Sequence, residues 1–128
     1  MQPRRRDRRQ EERAGRIAEW LATLYLTLTG HRILARRWRG HAGEIDLVAQ
    51  RRGLLLFCAV KYRRDSANSG VPTARQRDQI CRAAQEFAAR RRPGQALQWR
   101  FDLIQLSLPG RAGSVPLRHL KDAWRCDD

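Results

Sequence analysis

A run of apolar residues at positions 54–60 constrains the fold of this 128-residue chain more than any other feature. The run reads Leu-Leu-Leu-Phe-Cys-Ala-Val, without the alternation of polar and apolar residues that marks a half-exposed strand. A continuous run of this length is typical of a strand that is buried on both faces. Such a strand lies inside a sheet that other elements cover on both sides.

The elements around this run predict a single α/β domain with a mixed sheet flanked by helices. Predicted strands lie at residues 31–39, 44–50, 54–61 and 98–108, with a short further element at 115–124. Glycine-containing turns separate the first three strands, so they form a meander. A helix from Thr73, which can cap it, to about Arg92 separates the third and fourth strands. This crossover allows the two strands to run parallel.

The amino-terminal part divides into a basic segment and a helix. Residues 1–12 are rich in arginine and lack apolar periodicity, so we predict a flexible basic arm before a domain of residues 13–128. Residues 12–29 have helical periodicity, and Gly30 is placed to end the helix in a left-handed conformation. The apolar stripe of this helix consists of Ile17, Trp20, Leu21, Leu24 and Leu28. We expect Trp20, which lies on this stripe, to pack in the core.

The charge of the chain favours a polyanionic partner. The net charge is +14 and the isoelectric point is about 11.5, which is typical of proteins that bind nucleic acid. Pervasive arginine can also reflect codon bias, which leaves a structural or adaptor protein as an alternative. No apolar run approaches the ~20 residues that cross a bilayer. No apolar segment of a secretory signal follows the basic amino terminus, so we expect neither a membrane partner nor secretion.

The three cysteines match no recognisable metal-binding or redox spacing. Cys58 lies in the apolar run and Cys81 beside Ile80 in the second helix, while Cys126 is near the carboxyl terminus. Cys58 and Cys81 therefore read as small buried hydrophobic residues. This usage predicts a reduced, cytoplasmic location.

Two carboxylates and a lysine form the pattern with the clearest chemical meaning. Glu44 and Asp46 are two positions apart on one strand, so their side chains project from the same face. Paired carboxylates are oxygen ligands for Mg²⁺ or Mn²⁺. Lys61 ends the buried strand, and it is notable because only Lys61 and Lys121 are lysine among 27 basic residues. A lysine beside such an ion can stabilise developing charge on a phosphate. Ion pairs with neighbouring arginines are the alternative for both carboxylates.

The order and spacing of several motifs resemble the YraN family of small bacterial proteins. The motifs are Gly-Glu-Ile-Asp-Leu-Val-Ala at 43–49, Phe-Cys-Ala-Val-Lys-Tyr-Arg at 57–63, and the segments 30–39, 100–103 and 120–124. That family is similar in fold to PD-(D/E)XK nucleases and archaeal Holliday junction resolvases. The resemblance implies a restriction-endonuclease-like mixed sheet and Mg²⁺- or Mn²⁺-dependent cleavage of branched or otherwise structured DNA. Junction-cutting nucleases often need two active sites, so it is also consistent with a homodimer.

The resemblance further implies a set of site residues. Asp46 would be the chief metal ligand, with Glu19 and Lys61 as its catalytic partners. Outside the family pattern, Glu44 and the Val60 carbonyl are further candidate metal ligands, because carboxylates and backbone oxygens bind such ions. The family pattern has Glu-x-Lys where this chain has Ala59, Val60 and Lys61, so one principal metal-binding carboxylate is absent. Two hypotheses follow: a nuclease with a weakened site, or a catalytically inactive DNA-binding module.

Basic and aromatic residues near these motifs are candidates for contact with nucleic acid. The candidates for binding backbone phosphates are Arg63, Arg64, Arg75, Gln76 and Arg77. Gln76 stands where the family usually has a lysine, and it retains hydrogen-bonding groups without the charge. Trp38, Trp99 and Trp124 are candidates for stacking on unpaired bases. A solvated surface charge is the alternative for each arginine.

Overall fold

In the computed structural model of the chain, the described backbone comprises residues 5–63, 71–91, 97–107 and 117–126, with side chains described except at 5–11, 14 and 63. The elements in chain order are α1 (Arg5–Leu28), β1 (Arg32–Arg39), β2 (Glu44–Arg51), β3 (Leu54–Arg63), α2 (Ala74–Arg91), β4 (Gln98–Ser107) and β5 (Leu117–Trp124). Because α1 begins at Arg5, helix covers part of the predicted basic arm. The division of the chain at residue 12 stays a prediction.

The strands form one five-stranded mixed sheet in the order β1-β2-β3-β4-β5. The meander β1-β2-β3 is antiparallel, β4 runs parallel to β3, and β5 returns antiparallel to β4. The predicted α/β fold and the predicted parallel crossover are therefore confirmed. β3 lies at the centre, and residues 55–59 are at most 1% exposed, as the apolar run predicts. The short carboxyl-terminal element is a strand of the same sheet.

Each face of the sheet carries one helix and one apolar cluster. On the α2 face, Phe57 of β3 lies edge-to-face against Phe87 of α2, with ring centroids 6.0 Å apart. On the α1 face, Cys58 packs with Ala22 and Leu26 of the helix. Successive β3 residues thus point into different clusters, and this alternation gives β3 a buried environment on both sides.

The apolar stripe predicted for α1 does not face the core. Exposure is 62% for Trp20, and between 46% and 76% for Ile17, Leu21, Leu24 and Leu28. Ala18, Ala22 and Leu26 face the sheet instead, and none of them is more than 2% exposed. Two alanines on the inner face allow the helix to approach the sheet closely, so this narrower set of residues forms the contact. The prediction that Trp20 packs in the core is wrong, and its ring instead lies 4.2 Å below the Arg36 guanidinium.

The end of α1 follows the prediction from Gly30. Its φ is +90°, a left-handed conformation that a side chain would strain. The amide of His31 donates to the carbonyl oxygen of Leu26, and the amide of Gly30 donates to that of Thr27. Among the described residues, no helix combines the length and the apolar character that crossing a bilayer requires.

The cysteine prediction is half correct. Cys58 is free and fully buried, as expected. Cys81 is not an isolated buried thiol, because it forms a disulfide with Cys126, with 5.8 Å between the Cα atoms. The sequence separation of 45 residues carried no pairing signal. The pairing arises because α2 and the segment after β5 meet on the same face of the sheet, where Cys126 packs against the α2-side cluster.

A buried polar network joins β4, β5 and α1. The fully buried Asp102 accepts two hydrogen bonds of 2.8 Å from Arg100 and one of 2.7 Å from His119. The Asp122 amide donates to it as well, and the Tyr25 hydroxyl lies 2.8 Å from the other ring nitrogen of His119. Burial alone would raise the pKa of Asp102, but these bonds lower it to about 2. The network therefore holds a negative charge in the interior.

Replacing Asp102 by Asn should destabilise the fold strongly. The amide keeps the shape of the side chain but leaves Arg100 and His119 without a charged partner, which typically costs about 3–5 kcal/mol. The measurement is the free energy of unfolding from denaturant titration at neutral pH. The matched control is Asp122→Asn, an exposed carboxylate that pairs with Arg125 at 3.2 Å, and we expect a loss below about 1 kcal/mol there. Equal losses in the two variants would contradict the structural importance of this network.

Candidate functional site

The predicted site residues converge on a small cavity between the sheet and α2. Its volume is about 180 Å³. The sheet contributes Glu44, Asp46, Ala59 and Lys61, and the α2 side contributes Pro72, Gln76, Gln79 and Ile80. The spacing argument that places Glu44 and Asp46 on one face agrees with this arrangement. Ala59 lies within the same lining, at the position where the family resemblance would place a carboxylate.

Asp46 is held where the pairing between β2 and β3 stops. The pairing extends from the Arg51–Leu54 pair to the Leu47–Cys58 pair, and Asp46 immediately precedes Leu47 in β2. There the Val60 amide donates to the Asp46 carboxylate, with an N–O distance of 2.7 Å. The aspartate side chain thereby fixes the end of β3, which carries Lys61. Val60 meets Asp46 through its amide, whereas the predicted metal ligand was its carbonyl.

The environment of Asp46 favours its protonated form. Burial is the largest cause, and it raises the pKa of Asp46 to about 6. The hydrogen bond from Val60 and the charge of Lys61 lower the pKa, while the charges of Glu19 and Glu44 raise it. A buried carboxylate and an ammonium group thus share one cavity, in which Asp46 changes charge near pH 6.

The two supporting carboxylates are occupied by arginines of β1. Glu19 accepts a short hydrogen bond from Arg37, and it does not line the cavity, although it is close enough to affect the pKa of Asp46. Glu44 lies 3.3 Å from Arg39. The alternative of ion pairing, raised for Glu44 from the sequence, is therefore realised. These β1 partners were missed because the sequence does not show which arginines face α1 and β2.

The donor set does not fit a resident Mg²⁺ or Mn²⁺ ion. Among the described residues, no group of three or more His, Cys, Asp or Glu side chains could hold a metal. Asp46 uses one oxygen to accept the Val60 amide, Glu19 and Glu44 carry arginine partners, and Ala59 offers only a methyl group. A hard cation requires oxygen ligands in number, so the predicted metal site is incomplete in this chain.

Gln76 has a structural role that the sequence analysis missed. Its amide donates to the Thr73 hydroxyl at 3.1 Å, and its side-chain oxygen accepts the Thr73 amide at 2.9 Å. This reciprocal pair is a capping box, which confirms Thr73 as the cap of α2. A Gln three positions after a Thr was the available signal. The side-chain NH₂ group of Gln76 is not part of that pair, and Gln76 lines the cavity.

Among the described residues, the predicted phosphate-binding arginines do not line the cavity, although two of them are neighbours of Gln76, which does. Arg75 and Arg77 lie in the first turn of α2, next to Gln76, and Arg75 is exposed. Neither is part of the cavity lining. Arg63 ends β3, two residues beyond Lys61, and its side chain is outside the described set. The prediction for Arg64 falls outside the described residues.

The sheet, its two covering helices and the cavity at the end of β3 define an α/β domain of nuclease-like architecture. The sequence model of the uncharacterised protein family UPF0102 matches residues 18–106. The UPF0102 protein of Maricaulis maris (strain MCS10) is 44% identical over 120 residues, which cover 93% of this chain and 91% of that protein. The UPF0102 protein of Paramagnetospirillum magneticum (strain ATCC 700264 / AMB-1) is 45% identical over 122 residues, covering 91% and 90%.

A third relative, the UPF0102 protein of Caulobacter vibrioides (strain NA1000 / CB15N), is 44% identical over 115 residues, which cover 88% of this chain and 86% of that protein. The chain therefore belongs to the uncharacterised protein family UPF0102, which is the YraN family that its motifs resemble.

Replacing Asp46 by Asn should change the pH dependence of stability. The folded-state pKa of about 6 lies above the ordinary 3.8, so the folded protein keeps a proton that the unfolded chain releases between these values. The stability of the native protein should therefore fall as pH rises from about 4 to 6. An asparagine side chain cannot ionise and can still accept the Val60 amide. We expect Asp46→Asn to match the native protein at pH 4 and to exceed it by roughly 2–3 kcal/mol at pH 8.

Urea unfolding at both pH values measures this difference. Asp78→Asn is the control because it removes an exposed carboxylate of α2, whose side chain is 63% exposed. A stability difference between Asp46→Asn and the native protein that is the same at both pH values would contradict the expected titration of Asp46.

Proposed function

We propose that this protein is a nucleic-acid-binding domain of nuclease-like fold that binds structured DNA and does not cleave it. The observation that carries this proposal is the position of Ala59 beside Asp46 and Lys61. The cavity keeps a cationic group at the end of the central strand, but it lacks the carboxylate that would complete a metal site.

The charge distribution supports binding of a phosphate backbone. The net charge of +14 gives a long-range attraction for a polyanion. Lys61 is a compact ammonium group in the cavity, and Arg75 and Arg77 lie on the adjoining turn of α2. The exposed amino terminus of α2 adds a partial positive charge at the same place. Protonation of Asp46 near pH 6 removes a negative charge that would repel a phosphate there.

Cleavage by a weakened Mg²⁺ or Mn²⁺ site is the second candidate function, and the convergence of Asp46, Glu44 and Lys61 on one cavity favours it. It would require an ion held by Asp46 and Glu44 with water in the remaining positions. Such an ion would have to displace Arg39 from Glu44, which makes this candidate the weaker one.

The substitution Ala59→Glu separates these two functions. We expect the native protein to bind branched, flapped and linear DNA in a salt-dependent manner and to cut none of them with Mg²⁺ or Mn²⁺. Ala59→Glu should gain metal-dependent cutting, at least about 10–100-fold above background, because it supplies the missing ligand. Cutting is measured by the appearance of shortened labelled strands.

The control is Ala59→Gln, which adds a side chain of similar size without the charge, and we expect no gain from it. Cutting by the native protein that Asp46→Asn abolishes would overturn the non-cleaving proposal in favour of the weakened nuclease. Absence of salt-dependent DNA binding by the native protein would sink both functions.

We also infer a homodimer that forms through the exposed apolar stripe of α1, defined as Ile17, Trp20, Leu21, Leu24 and Leu28. With roughly 200 Å² for a large side chain, the stripe exposes on the order of 600 Å² of apolar surface. Two copies pairing through it would bury about 1,200 Å², the lower end of the range of specific interfaces. A helix face can pack on a copy of itself about a two-fold axis, so one surface is sufficient.

Leu24→Glu should shift this dimer to monomer, because it places a charge in the middle of the stripe. Leu120→Glu is the matched control, since Leu120 is 43% exposed on β5, outside the stripe. Sedimentation velocity measures the populations, and the native dimer should become more abundant with salt because salt screens the repulsion between two highly positive copies. A native protein that stays monomeric at high salt and micromolar concentration, or equal effects of both substitutions, would overturn this dimer.

A cytoplasmic location remains part of the proposal, and it fits a nucleic-acid partner. The disulfide between Cys81 and Cys126 removes one argument for it, because such bonds are rare in reducing compartments.

A further inference from the structure

A second and larger cavity opens at the other end of the sheet. Its volume is about 940 Å³, and its lining comes from the turn between β2 and β3, the start of β4 and the end of β5. The lining includes Arg51 and Trp99, whereas the first cavity includes Asp46 and Lys61. Arg51 lies five positions after Asp46 on β2, a distance of roughly 17 Å along a strand. The two cavities are therefore distinct sites.

The larger cavity is strongly basic. Arg51 ends β2 and Arg52 follows it in the β2–β3 turn; both are exposed, and within the described part of the chain neither forms an ion pair. Arg125 is 85% exposed and pairs with Asp122 at the surface. Arg100 also lines the cavity, but its guanidinium is committed to Asp102. Two arginines are thus available to an anionic ligand without the loss of any existing ion pair.

One aromatic ring in this cavity is available for stacking. Of the three tryptophans singled out from the sequence, Trp38 packs edge-to-face on Phe87 at 5.4 Å and Trp124 is 8% exposed. Trp99 is 42% exposed, and Phe57 contacts its ring at a centroid distance of 5.3 Å and an interplanar angle of 68°. Phe57 supports the ring from the core, so Trp99 presents an exposed surface with little conformational freedom.

We propose that this basic groove, defined by Arg51, Arg52 and Trp99, binds unpaired nucleotides of a single-stranded segment. A base stacks on Trp99, and the flanking phosphates lie against Arg51 and Arg52. Stacking on an aromatic ring beside a positive backbone track is the general mode by which proteins bind single strands. Bases of an intact duplex have no free face, so the groove selects unpaired segments. The inference rests on the proposed nucleic-acid-binding function and names the part of a structured DNA that this end of the sheet recognises.

Fluorescence anisotropy with a labelled oligothymidylate tests the groove, and a labelled duplex of the same length serves as the second probe. Trp99→Ala should weaken oligothymidylate binding about 5- to 150-fold, since stacking contributes about 1–3 kcal/mol per base. Duplex binding should change less than about twofold. Trp99→Phe should restore most of the single-strand affinity, because it retains an aromatic face.

The charge contribution is tested separately, because Trp99→Ala also removes the contact with Phe57. Arg51→Glu should weaken oligothymidylate binding more than Arg82→Glu, which makes the same change in net charge on the exposed surface of α2. Duplex binding by the native protein together with unchanged single-strand binding by Trp99→Ala and Arg51→Glu would overturn the groove and leave the proposed function intact. Binding of neither probe by the native protein would overturn both.

Discussion

Burial of β3 on both faces is the constraint on which the rest of the structure depends. Residues 55–59 lose nearly all contact with water only because α1 covers one face of the sheet and α2 covers the other. Burial of each large apolar side chain contributes roughly 1.5–3 kcal/mol, so this strand fixes the position of both helices. The end of the buried segment is equally fixed, and Lys61 emerges there beside Asp46. The candidate site is thus a direct consequence of the central strand.

At position 59, the buried strand and a metal site require different residues. An alanine at 1% exposure suits the buried strand, because it places no charge there that burial would desolvate. A third acid beside Asp46 and Glu44 would concentrate negative charge that a cation has to neutralise. Without it, the hydrogen bond from Val60 and the charge of Lys61 lower the pKa of Asp46, although burial still raises that pKa to about 6 overall. The cavity is therefore lined by two carboxylates and one lysine, and the proposed DNA-binding role rests on this set of charges.

Much of the fold could be predicted because it follows from local patterns. The apolar run predicted the central strand, and the glycine-containing turns predicted the meander. The helix between the third and fourth strands predicted the parallel crossover. The helix α1 was predicted from residue 12, although it begins at Arg5, and the face predicted to pack on the sheet was wrong. A stripe of large apolar residues outweighs a row of small ones in any reading of periodicity. Ala18 and Ala22 face the sheet for the reason that they are small, and this reason is visible only when the sheet is present.

The candidate site was predictable to the extent that it depends on strand alternation. Glu44, Asp46 and Lys61 converge because alternate residues share a face and β2 and β3 are neighbours in the sheet. The ion-pair and disulfide partners depend on packing between residues that are far apart in the chain. Local sequence patterns do not show which of these residues meet. Arg37 meets Glu19 across 18 positions, and Cys81 meets Cys126 across 45. The same limit applies to the larger cavity that contains the basic groove, because its lining comes from three separate parts of the chain.

Two successive arginines of β1 connect the exposed stripe of α1 to the candidate site. Arg36 lies over Trp20, a member of the stripe, and Arg37 bonds to Glu19, the preceding residue of α1. Arg37 has a positive φ of 50°, so the strand is irregular at the point where both arginines reach the helix. A copy of the protein packed on Trp20 would contact Arg36 and restrict its neighbour. Because Glu19 raises the pKa of Asp46, a change in the Arg37–Glu19 pair would alter the charge in the cavity. In the proposed dimer, the pairing surface and the Arg37–Glu19 pair would therefore meet at adjacent residues of one strand.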